Sequence, residues 1–307
     1  MLSRKNKLLI MKIISLLSVV RGYNIPIIIL AQYLSAIFIL APEVPALQVL
    51  LDLNLFLIVV ATSLTIASGY IINNFYDSQK DLINRPNKSM LDRLVSQKTK
   101  LYVYFSLNFL VVLVSCFISW RAVLFFSVYI FMIWFYSHKV KKYVVVGNLM
   151  AVLMSILPFF AILLYYKNFY QVIFAHATFL FLLMLIREMI KDLENLIGDM
   201  ANGYNTIPII YGEKVAKKII TALALLTVLP VYVLIEIYHV GYMDIYFYVC
   251  FGVLLFFLLF LWKANEKNQY ANLHLMLKCI IVAGVFCIVL IDPSVLWNGK
   301  KWLLTRI

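Results

Sequence analysis

Long uncharged apolar stretches recur from one end of the chain to the other, and they limit the possible folds more than any other feature. A membrane-spanning helix needs roughly 17–25 apolar residues. Nine such stretches occur in the sequence. The last of them, Cys279–Ile291, reaches that length only if it begins near Leu273 and includes Lys278. The chain has 64% hydrophobic residues, against about 45–50% in soluble domains, and this predicts an all-α polytopic membrane protein with nine transmembrane helices. The other eight stretches are Asn24–Ala41, Asn54–Ile72, Leu101–Trp120, Ala122–Ser137, Tyr143–Tyr166, Asn168–Ile186, Ile219–Ile235 and Ile245–Trp262.

The distribution of basic residues predicts the orientation of these helices. If the N-terminus lies on the inner side, 22 of the 27 Lys and Arg residues fall on that side. Basic residues are enriched on the cytoplasmic side of a membrane. We therefore expect a multi-pass protein of the cell inner membrane with a cytoplasmic N-terminus. The net charge of +13 follows from this topology and does not indicate a nucleic-acid partner, although the segment Lys300–Arg306 would lie outside and fits poorly.

Acidic residues concentrate in two windows, one after the second stretch and one after the sixth. Both windows lie on the inner side, and together they hold eight of the 14 Asp and Glu residues. Carboxylates near a membrane are costly unless a cation or a function offsets the cost. Each window places two aspartates and one amide on a single helix face, because their spacings are three or four residues. These residues are Asn73, Asp77 and Asp81 in the first window, and Asp192, Asn195 and Asp199 in the second.

Two facing sets of carboxylates are typical of a site for hard divalent cations. Mg²⁺ is usually held by one or two carboxylates together with substrate phosphates. Two such sets could hold Mg²⁺ ions that bridge a diphosphate, while the membrane accommodates a lipid tail. Asp and Asn just after a membrane helix are more often caps or solvated residues, but two windows on one side favour a functional site. Basic side chains on the same side would stabilise a leaving diphosphate, namely Arg85, Lys88, Lys139, Lys141, Lys142, Arg187 and Lys191.

Several motifs resemble those of the UbiA superfamily of membrane prenyltransferases, in order and spacing. "NNFYDSQKD" resembles its NDxxDxxxD signature, and "KDLENLIGDMANGYNTIP" resembles its second aspartate motif. "RGYN" is similar to the RPxN element of the first helix, and "YSHKVKKYVVVGN" to the stretch between helices four and five. "YGEKVA" resembles the entry to helix seven. The resemblance runs from Arg21 to Ala216 by motif and continues to the end by helix count.

This resemblance implies a single domain over residues 1–307, a nine-helix bundle with a central cavity that opens to the cytoplasmic side. Such enzymes remove diphosphate from a polyprenyl diphosphate with Mg²⁺, and an acceptor attacks the resulting allylic cation. The motifs at 73–81 and 192–199 would bind metal through Asn73, Asp77, Asp81, Asp192, Asn195 and Asp199, with the four aspartates catalytic. Substrate-binding residues would be Asn73, Arg85, Lys141, Arg187 and Lys191 at the diphosphate, Asn24, Tyr136 and Asn148 near the reacting carbon, and Arg21.

The sequence departs from the family pattern at two positions in the acidic motifs. Asn74 and Asn195 stand where Asp is usual or frequent, and each change removes one negative charge. We therefore expect weaker metal binding, with Glu194 as a nearby replacement for the second lost charge. The segment "RPNKSMLDRLVSQ" also lacks the second proline and the glycine of the family's "RPxRPxxSG". This predicts a different cap over the site, or reduced activity.

The acceptor is the least constrained part of this interpretation. "DLINRP" is similar to family members that prenylate geranylgeranylglyceryl phosphate, so this lipid is the favoured acceptor, with a geranylgeranyl or longer prenyl diphosphate as donor. An aromatic acceptor of quinone biosynthesis is the alternative. Two further classes stay open, a non-catalytic lipid-binding relative and an ion-coupled transporter. The position of the acids at helix ends, away from span centres, disfavours the transporter.

Overall fold

The computed structural model describes residues 4–298 and Leu303. All regular secondary structure among these residues is helical, and no strand occurs among them. The predicted tail segment Lys300–Arg306 lies outside them. The helices are α1 (Arg4–Val20), α2 (Ile25–Ser35), α3 (Ala46–Leu50), α4 (Leu53–Tyr76), α5 (Ser78–Asn84), α6 (Pro86–Asp92), α7 (Gln97–Ile118), α8 (Trp120–His138), α9 (Val146–Tyr166), α10 (Gln171–Glu194), α11 (Leu196–Ala201), α12 (Ile207–Tyr211), α13 (Glu213–Leu226), α14 (Val228–Tyr232), α15 (Met243–Lys263), α16 (Lys267–Cys287) and α17 (Ser294–Trp297).

Eight helices in the described part of the chain are long and apolar enough to cross a membrane. They include the predicted ninth stretch, which extends over Lys267–Ile291. A further span arises if the segments Ile10–Val20 and Ile25–Leu40, which meet at a bend of 45°, count as one crossing. The bend lies at Arg21, whose φ of 51° is left-handed, so the basic residue just before the first predicted stretch forms a hinge. The predicted all-α polytopic fold is confirmed.

The long helices form a closed ring of neighbours. The helix α4 packs against α2, α7 and α8, while α10 packs against α9, α13 and α16. Contacts of α16 with α2 close the ring, which brings the last span against the first. An apolar groove of about 530 Å³ lies between α4, α7 and α8, lined by aromatic side chains such as Tyr76 and Trp134. The central cavity expected from the resemblance stays a prediction.

A proline inside α9 illustrates how the bundle satisfies backbone groups at membrane depth. Pro158 has no N–H, so the carbonyl of Met154 lacks its helical donor. The Tyr129 hydroxyl donates to that carbonyl at 2.9 Å, and the Gln32 amide donates to the Pro158 carbonyl at 3.1 Å. Unpaired backbone groups are costly in a membrane, so these two side chains stabilise the packing of α2, α8 and α9 around the proline.

Two long helices break at corresponding places, and the breaks position the acidic motifs. The helix α4 ends at Tyr76, and α5 starts directly after Asp77, whose φ and ψ are −88° and 4°. The helix α10 ends at Glu194, and α11 starts after Asn195, whose φ and ψ are −102° and 11°. The short helices α5 and α11 then pack against each other. The two acidic windows therefore face one another, as their placement in the sequence predicts.

A glycine permits the close approach of α5 and α11. A Cβ atom on Gly198 would overlap the side chain of Asn84, whereas a Cβ atom on Gly252 in α15 would meet open space. We expect Gly198→Ala to lower the free energy of unfolding by about 1–3 kcal/mol, because the two short helices must separate. Gly252→Ala is the matched control and should leave stability unchanged or raise it slightly, since Ala favours helix. Thermal unfolding in detergent measures both, and equal midpoints would contradict this packing.

Candidate active site

The helical hydrogen-bond pattern continues through both breaks, so each acidic stripe stays on one face. The Asp77 N–H donates to the Asn73 carbonyl at 2.9 Å, and the Asp81 N–H donates to the Asp77 carbonyl at 2.8 Å. In the second window, the N–H groups of Asn195 and Asp199 bond in the same i to i−4 manner, at 3.0 Å each. Asn195 therefore corresponds to Asp77, and Asp199 corresponds to Asp81.

Lys80 and Tyr204 join the two motifs across the bundle. The Lys80 Nζ atom lies 2.5 Å from Asp199 Oδ1, and it also lies 4.2 Å from the centre of the Tyr204 ring. The Tyr204 hydroxyl donates to Asp77 Oδ1 at 2.7 Å. Lys141 donates to the same oxygen at 2.6 Å. The Lys80 ammonium group and the Tyr204 side chain thus link Asp199 of the second motif to Asp77 of the first motif.

The electrostatics of this junction favour charged side chains despite their burial. Burial alone would raise the pKa of Asp77, but the ammonium groups of Lys141 and Lys80 outweigh it and lower the pKa. Burial would lower the pKa of Lys80, but the carboxylates of Asp77 and Asp199 outweigh it and raise the pKa. Asp81 differs, because burial and the neighbouring Asp77 raise its pKa, although Arg21 and Arg85 lie close enough to oppose this.

The structure brings two more predicted residues to the junction. The Asn148 amide donates to Asp192 Oδ2 at 2.8 Å, which connects α9 with α10. Tyr136 at the end of α8 lies within electrostatic range of Asp77, Asp192 and Asp199. The Asn24 amide donates to the Tyr70 hydroxyl at 3.1 Å, so Asn24 contacts α4 about one helical turn before Asn73. The junction therefore has walls from α4, α8, α9 and α10.

The predicted diphosphate-binding cations all have carboxylate partners, some of which the sequence analysis missed. Arg85 lies 3.0 Å from Glu194. Arg187 and Lys191 lie 3.2 and 2.5 Å from Glu188. Glu188 was assigned no role from the sequence, because its partners lie close to it on the same helix. Arg85 was not expected to pair with Glu194, because the two residues lie 109 positions apart in the chain. Lys80 was missed as well, although it stands within the first motif, three residues after Asp77.

Glu194 does not compensate for the asparagine at position 195, so that expectation is wrong. Its carboxylate accepts from Arg85 and lies 2.6 Å from His274 Nδ1 on α16. Both partners hold it on the side of α10 that faces the last span. The second acidic motif therefore contributes Asp192 and Asp199 as its carboxylates.

Asn74 also has a role that differs from the expectation. Its Oδ1 atom accepts from Lys100 at 2.8 Å, and its amide donates to Asp92 Oδ2 at 2.9 Å. Asp92 further accepts from Lys88 at 2.8 Å and from Ser18 at 2.7 Å. Asn74 thus ties α4 to α6 and α7, away from Asp77. An aspartate at this position would not add its charge to the junction, and the predicted loss of metal binding does not follow from Asn74.

The carboxylate and amide oxygens of the junction fit a hard cation that takes its remaining ligands from phosphate. In the described part of the chain, no three His, Cys, Asp or Glu side chains converge on one point, which disfavours a cage made of protein ligands alone. Mg²⁺ commonly takes one or two carboxylates and completes its shell with water and substrate phosphates. Asp77 with Asp81, and Asp192 with Asp199, supply such carboxylates from two sides. Asn73 and Asn195 have no side-chain hydrogen bond to any described residue, so their amide oxygens are available as further ligands.

Comparisons with known proteins identify the family and the fold of the chain. Residues 29–287 match the UbiA prenyltransferase family. Digeranylgeranylglyceryl phosphate synthase of Methanobrevibacter smithii is 27% identical over 271 residues, which cover 83% of this chain and 89% of that protein. A solved structure from work on digeranylgeranylglyceryl phosphate synthase in membranes has a TM-score of 0.69 at 21% identity, over 92% of this chain and 99% of that one. A UbiA homologue from Archaeoglobus fulgidus bound to GPP and Mg²⁺ has a TM-score of 0.64 at 15% identity, over 90% of this chain and 99% of that one.

The fold and the paired acidic motifs define a polytopic membrane prenyltransferase. The chain belongs to the UbiA prenyltransferase family, as the sequence motifs predict.

The network around Asn74 gives a test that separates structural from functional amides. We expect Asn74→Ala to lower the free energy of unfolding by about 1–3 kcal/mol, because Asp92 and Lys100 lose a buried partner. Asn73→Ala is the matched control, since the neighbouring amide has no bond to lose within the described chain. Thermal unfolding of both variants in detergent measures the difference. A lower midpoint for Asn73→Ala than for Asn74→Ala would contradict the assignment.

Proposed function

We propose that the chain transfers a geranylgeranyl or longer prenyl group from its diphosphate to geranylgeranylglyceryl phosphate within the membrane. The observation that carries the proposal is the junction of the two aspartate motifs through Lys80 and Tyr204, with Lys141 beside it. Family membership supports the prenyl transfer, and the naming of the Methanobrevibacter smithii relative supports the glyceryl phosphate acceptor.

In this reaction, the bond between the first prenyl carbon and the diphosphate oxygen breaks, and its electron pair leaves with the diphosphate. The acceptor hydroxyl oxygen forms a new bond to that carbon, and its proton passes to the released diphosphate. Bound Mg²⁺ would supply positive charge that stabilises the leaving diphosphate. Asp77, Asp81, Asp192 and Asp199 would hold it. The Archaeoglobus fulgidus homologue bound to GPP and Mg²⁺ supports the requirement for this ion.

The chain's own cations contribute to the same step. The ammonium groups of Lys80 and Lys141 are held by Asp199 and Asp77, directly beside the carboxylates that would hold metal. From these positions they donate hydrogen bonds to phosphate oxygens and stabilise the charge that develops on the leaving group. Tyr136 and Asn148 form the wall of the junction towards the membrane, where the prenyl chain extends.

Prenyl transfer by purified protein tests this proposal. Geranylgeranyl diphosphate, geranylgeranylglyceryl phosphate and Mg²⁺ should yield the ether product and diphosphate. Asp77→Asn and Asp199→Asn should each lower kcat by about 100-fold or more, because each removes charge that acts in the transition state. Glu236→Gln, an exposed carboxylate that precedes α15, is the control and should keep full activity.

The other classes give different results in the same assay. Transfer only to an aromatic acceptor would replace the proposed acceptor. Tight lipid binding without diphosphate release would indicate a non-catalytic relative. Ion flux in liposomes without prenyl transfer would indicate a transporter.

We also propose that the acidic motifs and the N-terminus face the cytoplasm of a cell inner membrane. The excess of Lys and Arg on that side supports this orientation. The exposed residues Lys139 and Lys167 flank α9 and therefore lie on opposite sides of the membrane.

Cysteine labelling tests the orientation. In a variant with the four native cysteines replaced, Lys167→Cys should react with a membrane-impermeant maleimide added to intact cells. Lys139→Cys should react only after the membrane is opened. The reverse pattern would mean that the motifs face outward.

A further inference from the structure

Lys278 carries a charge near the middle of the last membrane span. The span covers Lys267–Ile291, and Lys278 lies about 16 Å along its axis from Lys267 at 1.5 Å per residue. Its side chain is nevertheless exposed. Ionisable groups at such depth are costly and usually face a water-filled or ligand-filled space. The mechanism described above does not use this residue.

The contact of His274 with Glu194 shows which part of α10 lies beside Lys278 on α16. His274 contacts Glu194 at 2.6 Å, and Lys278 lies one helical turn further along the same face of α16. Arg187 lies two turns before Glu194 on the facing helix α10. The two helices pack closely, so Lys278 and Arg187 lie deeper in the membrane than the pair of His274 and Glu194. Both also act electrostatically on each other.

The hinge between α1 and α2 adds a second cation from the opposite side. Helix α2 packs against α16, and Arg21 in the hinge lies within electrostatic range of Lys278. The Arg21 guanidinium lies 5.1 Å from the centre of the Tyr70 ring. The Tyr70 hydroxyl accepts a hydrogen bond from Asn24, which holds the ring in place. Arg21 and Lys278 therefore face the same seam between the first and last spans.

The charges at this seam do not balance. Glu194 is shared by Arg85 and His274, and Glu188 is shared by Arg187 and Lys191. Arg21 and Lys278 have no carboxylate within 4 Å among the described residues. At the metal junction, by contrast, Lys80 and Lys141 are each paired with an aspartate. The seam thus has a surplus of two unpaired cations, Arg21 and Lys278, among the described residues.

We propose that Lys278 and Arg21 bind the phosphate monoester of the lipid acceptor and that Lys278 selects acceptors bearing this group. The inference rests on the proposed function and deepens it. A phosphate monoester carries a charge of about −1.5 to −2 near pH 7, which matches the surplus at the seam. Arg21 also lies close to Asp81, so a phosphate held at the seam places the acceptor beside the first aspartate motif. Lys80 and Lys141 bind the diphosphate of the prenyl substrate.

Acceptor kinetics of Lys278→Gln test this assignment. We expect KM for geranylgeranylglyceryl phosphate to rise about tenfold or more, because a hydrogen bond to a charged group is lost. KM for geranylgeranyl diphosphate and kcat should both stay within about twofold of the wild-type values. Lys278→Arg should restore most of the acceptor affinity. Lys263→Gln, an exposed lysine at the end of α15, is the matched control and should change none of these constants. A rise in KM for the diphosphate instead would assign the seam to the donor and overturn the proposal.

Direct binding separates this proposal from the proposed function. Binding of geranylgeranylglyceryl phosphate and of the same lipid without its phosphate is measured on wild-type protein and on Lys278→Gln. Wild-type protein should prefer the phosphate lipid, and Lys278→Gln should lose most of that preference. This holds even if no transfer occurs, in which case only the proposed function fails. Equal binding of the two lipids by wild-type protein would overturn the assignment, whether or not transfer is observed.

Discussion

The ion pair between Lys80 and Asp199 is the contact on which the arrangement of the site depends. Lys80 belongs to the first acidic motif and Asp199 to the second, so their 2.5 Å contact joins two helix pairs that are far apart in sequence. Tyr204 extends the joint, because its ring lies against Lys80 while its hydroxyl donates to Asp77. Buried charges are stable only when opposite charges and hydrogen bonds compensate their desolvation. The cations between the two motifs therefore compensate the charge of their buried acids.

The two breaks in the long helices make that joint possible. A continuous α4 or α10 would carry its acids away from the membrane along separate axes. The breaks at Asp77 and Asn195 let α5 and α11 turn and pack against each other, with Gly198 providing the space for Asn84. Because the helical bonding is kept through each break, the acidic residues of each motif remain on one face.

The cations fall into two groups with different surroundings, one at the acidic motifs and one at the seam between the first and last spans. Lys80 and Lys141 are neutralised by the aspartates that would also hold metal. Arg21 and Lys278 lie at the seam between the first and last spans and have no carboxylate within 4 Å in the described part of the chain. A prenyl transfer between two phosphate-bearing lipids needs two anion sites of different character. The division of the cations into a paired and an unpaired group agrees with that requirement.

The sequence by itself determined the membrane class, the nine apolar stretches, and the two acidic stripes, because these depend on composition and on spacing within one helix. It could not determine which face Asn74 uses, since its partners Asp92 and Lys100 lie 18 and 26 residues away. It also left open the partner of Arg85, which is Glu194, 109 residues further along the chain. Such pairings follow from the packing of helices against each other, which spacing along one helix does not specify. Only the tertiary structure therefore decided that Asn74 is structural, that Glu194 turns away from the acids, and that Lys278 lies within electrostatic range of Arg21.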